Sequence, residues 1–193
     1  MDRQKIINIA NSIPGTQTRI DYIECLIDMA NRLPENCRIL EIGACAGGSA
    51  ITMALTVKER NGIVFTIDPG FREVIYWPEE YKKIGPVANL HQVIYNAFIH
   101  GVSGHVIPLP GTSKDILNQW DGSRLFDLIY IDGEHSYEAV KIDMQWAKHT
   151  TQKAYIMLDD WIDVVEKACI EYIVENPQWI RKHDAVLPYF QKT

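Results

Sequence analysis

The sequence has no apolar run approaching the ~18 residues that a helical membrane span needs, so such a span is excluded. The opening stretch, Met1 to Pro14, is interrupted by Asn8 and Asn11 and reads poorly as a signal peptide. Basic charge is scarce. Lys and Arg number 19 against 25 Asp and Glu, for a net charge of -6. The chain therefore lacks the positive field that drives general nucleic-acid binding. Cysteine is also sparse: Cys25, Cys37, Cys45 and Cys169 include no close pair. That excludes a zinc ribbon and a dense disulfide framework, and fits a reduced, cytoplasmic protein. No repeat, low-complexity tract or Ser/Gly linker interrupts the 193 residues, so a single domain is expected over 1–193.

What is present is alternation. Apolar residues at Ile20, Ile23, Leu26, Ile27 and Ala30 follow a helical period from Arg19 to Arg32. Arg38 to Ile42 is a short β-type run, and Ser49 to Arg60 reads as a helix closed by Asn61-Gly62. Strands are expected at Ile63 to Ile67, His105 to Leu109, Phe126 to Ile131 and Ala154 to Leu158. Helices are expected at about 87–100, after Gly111, at Ser136 to Lys148 and at Trp161 to Glu175. The tail from Trp179 to Gln191 reads as one or two strands. Short apolar strands alternating with helices give βαβ units. The expected fold is α/β: a Rossmann-like, doubly wound, mostly parallel sheet with helices on both faces and shortened C-terminal strands. Residues 1–35 would form a helical cap and 38–161 a cofactor-binding core.

Ligands of such sheets bind beyond the carboxyl ends of the strands. After the first strand comes Glu41-Ile42-Gly43-Ala44-Cys45-Ala46-Gly47-Gly48-Ser49. Its glycines allow a tight turn and close backbone approach. A phosphate-cradling P-loop is excluded, since no Gly-Lys-Ser/Thr occurs. Cys45 stands where a dinucleotide fold needs its middle glycine, which points to a nucleoside ligand without a pyrophosphate. Asp68 closes the second strand and lies 20 residues beyond Gly48, a spacing suited to accepting from a ribose diol. The alternative is a turn-forming role in Asp68-Pro69-Gly70. Thr112 and Ser113 either cap a helix or line the base pocket.

The densest cluster is Asp132-Gly133-Glu134-His135-Ser136-Tyr137, and the next strand ends in Asp159-Asp160. Adjacent strand ends would bring several carboxylates beside one His. Such acids repel unless a cation, proton or base joins them. Hard oxygen ligands suit Mg²⁺ or another hard divalent cation rather than Zn²⁺. His is the side chain suited to proton transfer near neutral pH. Glu134 reads as a solvated loop acid, and Asp160 with Asp163 also reads as a helix start.

Together, Glu41-Ile42-Gly43 through Gly47-Gly48, Asp68, and Phe126 to Val140 resemble class I S-adenosylmethionine-dependent methyltransferases. The string Ile131 to Val140 followed by Asp159-Asp160 is similar to the bacterial O-methyltransferase family that includes macrolide-sugar O-methyltransferases and cephalosporin-hydroxylase-like proteins. The likeness runs from about Arg38 to Trp161. It implies a cofactor pocket of Glu41, Gly43, Ala44, Gly47, Gly48, Ser49, Asp68, Thr112, Ser113 and Asp132. It implies metal ligation by Asp132, Asp159 and Asp160, with His135 as base and Asp132 beside it in catalysis. The chain departs from the pattern at Thr150 to Lys153, where Pro-Gly-Gly is usual.

The expected activity is S-adenosylmethionine-dependent O-methylation of a small-molecule acceptor, assisted by a divalent cation. The alternatives are a nicotinamide-dependent oxidoreductase and a cofactor-binding protein without activity. No nucleic acid or membrane partner is expected, and a homo-oligomer is allowed for. Residues 71–88, with Tyr76, Trp77 and Tyr81, suggest either a lid over the acceptor or a subunit interface.

Overall fold

Residues 1–13, 19–70 and 88–193 are described by a computed structural model of the chain. The lid suggested for 71–88 falls almost wholly outside these residues. Two helices, α1 (Arg3–Ser12) and α2 (Ile20–Asn31), precede the first strand, β1 (Arg38–Ile42). Then follow α3 (Gly48–Val57), β2 (Ile63–Asp68), α4 (Ala88–Ile99), β3 (Val106–Pro110), α5 (Ser113–Gln119) and β4 (Phe126–Ile131). The chain continues through α6 (Tyr137–Met144), β5 (Thr150–Leu158), α7 (Asp163–Glu175), β6 (Trp179–Lys182) and β7 (Tyr189–Lys192).

The seven strands form one sheet in the order β3-β2-β1-β4-β5-β7-β6. The first five are parallel, and β7 runs antiparallel to both β5 and β6. The tail thus supplies two four-residue strands that complete the sheet.

The continuous apolar runs have a direct cause. Both faces of the central strands are covered, so alternate residues enter two cores. Ile39, Val64, Leu128, Tyr130 and Met157 join the core beneath α1, α2, α3 and α4. Leu40, Phe65, Ile129 and Ile156 join the core beneath α5, α6 and α7. This two-residue parity also sets which way the polar strand residues point.

Several boundaries moved. The helix after the glycine turn ends at Val57 in a short 3-10 turn, and within the expected Asn61-Gly62 cap it is Asn61 (φ 57°) that is left-handed. β5 starts four residues before the expected Ala154, and its register against β4 shifts between Phe126 and Leu128. Lys153 takes a left-handed φ of 62° there. A lysine thus carries the left-handed bend that accompanies this register shift.

Strand order reverses between β1, which continues leftward to β2 and β3, and β4, which starts the rightward half. A crevice outside the carboxyl ends opens at such a reversal. Gly43 leaves β1 there and Asp132 leaves β4.

Candidate active site

Gly43 occupies φ 99°, and its N–H donates to the Ile67 carbonyl at 2.9 Å. The Asp132 N–H donates to the Ile42 carbonyl at 2.8 Å. The two strand ends therefore meet backbone to backbone. A Cβ at Gly43 would lie 2.1 Å from the Asp132 carbonyl oxygen. Past it, Cys45 (φ 45°) and Gly47 (φ 88°) carry the turn into α3. A Cβ on Gly47 would sit 3.3 Å from Val93 of α4.

Asp68 organises this turn. One carboxylate oxygen accepts from the Ala44 and Cys45 N–H groups at 3.1 and 3.0 Å. The other accepts from the Gly70 N–H at 2.7 Å. Three backbone amides thus engage the carboxylate that the spacing assigned to a ribose. Asp68 is buried, and its evident work is to fasten β2 to the glycine turn. These bonds are the turn-forming role of Asp68, one of its two sequence readings.

Glu41 differs more from expectation. It was placed among the cofactor ligands, but parity points it into the core under α3, and it is fully buried. Its neighbours in register are Thr66 of β2 and Tyr130 of β4. The Ser49 and Thr66 hydroxyls both donate to its carboxyl group. Glu41 and Ser49 therefore tie β1, β2 and α3 together. Alternation from Ile39 to Glu41 was the available signal for this.

Burial lifts the Glu41 carboxyl from 4.5 to about 7. The sign of the consequence follows. Below pH 4.5 both folded and unfolded chains carry the proton. Between 4.5 and 7 the unfolded chain ionises while the folded one stays neutral, so stability falls as pH rises. Above 7 the loss is constant, at about 3 kcal/mol for this group. Glu41→Gln should remove that slope, since a neutral amide still meets both hydroxyls. Urea unfolding at pH 5 and pH 8 checks it. Equal pH slopes in variant and parent would refute the assignment.

Thr112 caps α5, the first of the two roles its position offered. Its hydroxyl oxygen accepts from the Asp115 N–H at 3.1 Å, and it donates to the Asp115 carboxylate at 2.6 Å. Ser113 is likewise engaged inside: its oxygen accepts from Trp146 Nε1 at 3.0 Å, and its hydroxyl donates to Asp143. Asp143 is a buried acid that the sequence reading missed, pushed up to about 7 by burial. It lies on α6 at a position that periodicity alone reads as solvent-facing or core with equal ease.

The cluster at the ends of β4 and β5 does assemble. Asp159 is drawn to β4, its N–H donating to the Ile131 carbonyl at 3.0 Å. The Tyr130 hydroxyl donates to Asp159 Oδ1 at 2.7 Å. Asp132 and Asp159 are hydrogen-bond partners. Burial, and then the negative charge of Asp159 and Glu41, push the Asp132 carboxyl well up. His135 Nδ1 sits 2.9 Å from Asp160 Oδ2, and Nε2 lies 4.0 Å from Asp132 Oδ1. Nε2 is buried and has no hydrogen-bond partner. Asp160 is thus partner to His135 rather than a helix cap, since α7 starts at Asp163 with Ile162 as its cap residue. Glu134 is exposed, as read.

The carboxylates are turned toward one another and toward His135. Among the described residues, no three His, Cys, Asp or Glu side chains are already arranged around a common metal position. No described helix is long and apolar enough to cross a membrane.

Comparison with known proteins agrees with this fold. None of the curated proteins compared matches the chain. Among solved structures, the S-adenosylhomocysteine-bound methyltransferase PaMTH1 of Podospora anserina is similar at a TM-score of 0.68 and 15% identity, over 99% of this chain and 87% of that one. The O-methyltransferase TomG of Streptomyces achromogenes, involved in tomaymycin synthesis and solved with S-adenosylmethionine, matches at 0.64 and 17%, over 98% and 87%. An O-methyltransferase of Bacillus cereus with S-adenosylhomocysteine matches at 0.65 and 16%, over 98% and 88%. At these identities the likeness establishes the fold. The family model described as a methyltransferase domain matches residues 40–161, from β1 through the Asp159-Asp160 corner. This chain belongs to that methyltransferase-domain family.

Proposed function

We propose that the protein transfers a methyl group from S-adenosylmethionine to a hydroxyl oxygen of a small acceptor, with His135 as the base. The observation that carries this reading is the His135 ring, held at Nδ1 by Asp160 while buried Nε2 has no partner. A ring fixed at one nitrogen presents the other for proton removal. Methyl transfer is an in-line displacement at a sulfonium carbon, so alignment and deprotonation of the acceptor are what the protein must supply. The glycine turn from Gly43 to Gly48 would carry the donor, with its backbone held in shape by Asp68. The solved relatives bound to S-adenosylmethionine or its product support that donor. A nicotinamide dinucleotide is disfavoured because Cys45 keeps a side chain at the closest-approach position of the turn.

The acids Asp132, Asp159 and Asp160 have the donor chemistry for a hard divalent cation, and their mutual crowding is what such a cation would relieve. They would hold it, and it would lower the acceptor hydroxyl's pKa.

The test is transfer of a labelled methyl group from the donor to catechols, vicinal diols and sugars, with Mg²⁺ or with a chelator. Labelled ether product is expected, and less of it with chelator. Calorimetry should show binding of S-adenosylhomocysteine and none of NADPH. Binding of NADPH alone would reverse the assignment.

A further inference from the structure

Helix α4 is apolar on two opposite sides. Its inner side is fixed to the glycine turn: Val93 and Ala97 are buried, and Asn96 donates from Nδ2 to the Ala46 carbonyl at 2.9 Å. Its outer side carries Ile94, Tyr95, Phe98 and Ile99, which are 50, 59, 73 and 48% exposed. At this spacing the four side chains make one continuous stripe. A surface helix ordinarily turns a polar face outward.

The stripe also lies in an unusual stretch of sequence. Residues 84–113 contain no Asp, Glu, Lys or Arg, in a chain where 23% of residues are charged. The stretch includes β3, which is the edge strand of the sheet on that side. Pro108 and Pro110 deprive that strand of two amide donors, which disfavours extension of the sheet by a further strand.

We propose that the outer face of α4 is the surface through which two copies of this chain associate. The charge distribution selects this occupant. Each copy carries a net charge of -6, so two copies repel over most of their surfaces. A twofold contact sets a patch against itself, so any charge in it would meet its own kind. The stripe has none, and apolar side chains are complementary to themselves. Tyr95 and Phe98 are the residue types enriched as anchors in the centres of such contacts. One helix stripe covers less area than an obligate dimer needs, so the contact is expected to be reversible, with a dissociation constant on the order of micromolar.

Sedimentation over roughly 1–100 µM tests this in the intact chain. The parent should shift from monomer to dimer within that range. Phe98→Glu should sediment as a monomer throughout, with a thermal midpoint close to the parent's because the side chain is exposed. Phe98→Lys alone should also be monomeric, and an equimolar mixture with Phe98→Glu should recover the dimer. A parent that stays monomeric would overturn the proposal and indicate that the face is covered by another segment of its own chain or by a different partner. A dimer that survives Phe98→Glu would overturn it by placing the contact elsewhere.

Discussion

Replacing Gly43 by Ala should lower stability by about 3 kcal/mol or more, and donor affinity at least tenfold. Two costs act together. The residue sits at φ 99°, where a side chain costs roughly 1–2 kcal/mol. The added Cβ would also lie 2.1 Å from the Asp132 carbonyl oxygen, 2.6 Å from its carbonyl carbon and 3.0 Å from Gly133 Cα. All three are backbone atoms, so no side-chain rotation relieves the clash. Relief requires moving β1 and β4 apart at their carboxyl ends, breaking the Asp132 amide bond to Ile42 and opening the crevice that holds the candidate site. For a domain of this size the thermal midpoint should fall by roughly 10 °C. Two other glycines calibrate the effect. Gly47→Ala meets Val93 at 3.3 Å with φ 88°, and should cost about 1 kcal/mol. Gly104→Ala meets nothing within 4 Å and should be close to neutral. Thermal unfolding and calorimetry with S-adenosylhomocysteine measure both quantities. If Gly43→Ala and Gly104→Ala unfold within a degree of each other, the close approach of β1 and β4 is not rigid.

The same close approach shows what a sequence can and cannot convey. The strands were legible because burial on both faces leaves uninterrupted apolar runs, as in Phe126 to Ile131 and Ile63 to Ile67. The convergence of Gly43, Asp132, His135, Asp159 and Asp160 was legible because residues after such strands fall at the crevice. The division of labour among polar groups was less legible. Glu41, Thr66 and Tyr130 form a row across three strands, and register, which no single segment carries, makes them neighbours. Asp68 and Thr112 both bind backbone amides, work that depends on where a loop places its N–H groups. Lys153 hid a left-handed bend because the residue type gave no sign of it. In each case the residue identity was informative and its partner, set by tertiary geometry, was not.

Replacing His135 by Ala should reduce methyl transfer by about 10²–10⁴ while leaving donor affinity within about twofold. The ring lies at the mouth formed by the ends of β4 and β5, between two acids with different roles. Asp160 accepts from Nδ1 at 2.9 Å, fixing the tautomer in which Nε2 carries the free lone pair. Asp132 Oδ1, 4.0 Å from Nε2, is beyond hydrogen-bond distance and leaves that lone pair unengaged. The arrangement therefore keeps the nitrogen available for the acceptor's hydroxyl proton, and the positive charge that develops on the ring is stabilised by Asp160. Two further measurements separate a base from a merely structural histidine. Added imidazole should restore part of the lost rate in His135→Ala, because the cavity left by the ring admits a substitute base. Asp160→Asn keeps an acceptor for Nδ1 but removes the charge, so it should lose less, about tenfold. If His135→Ala retains parental turnover of an acceptor found in the panel, proton removal falls to another group. The buried, unpartnered Nε2 would then have no part in the chemistry.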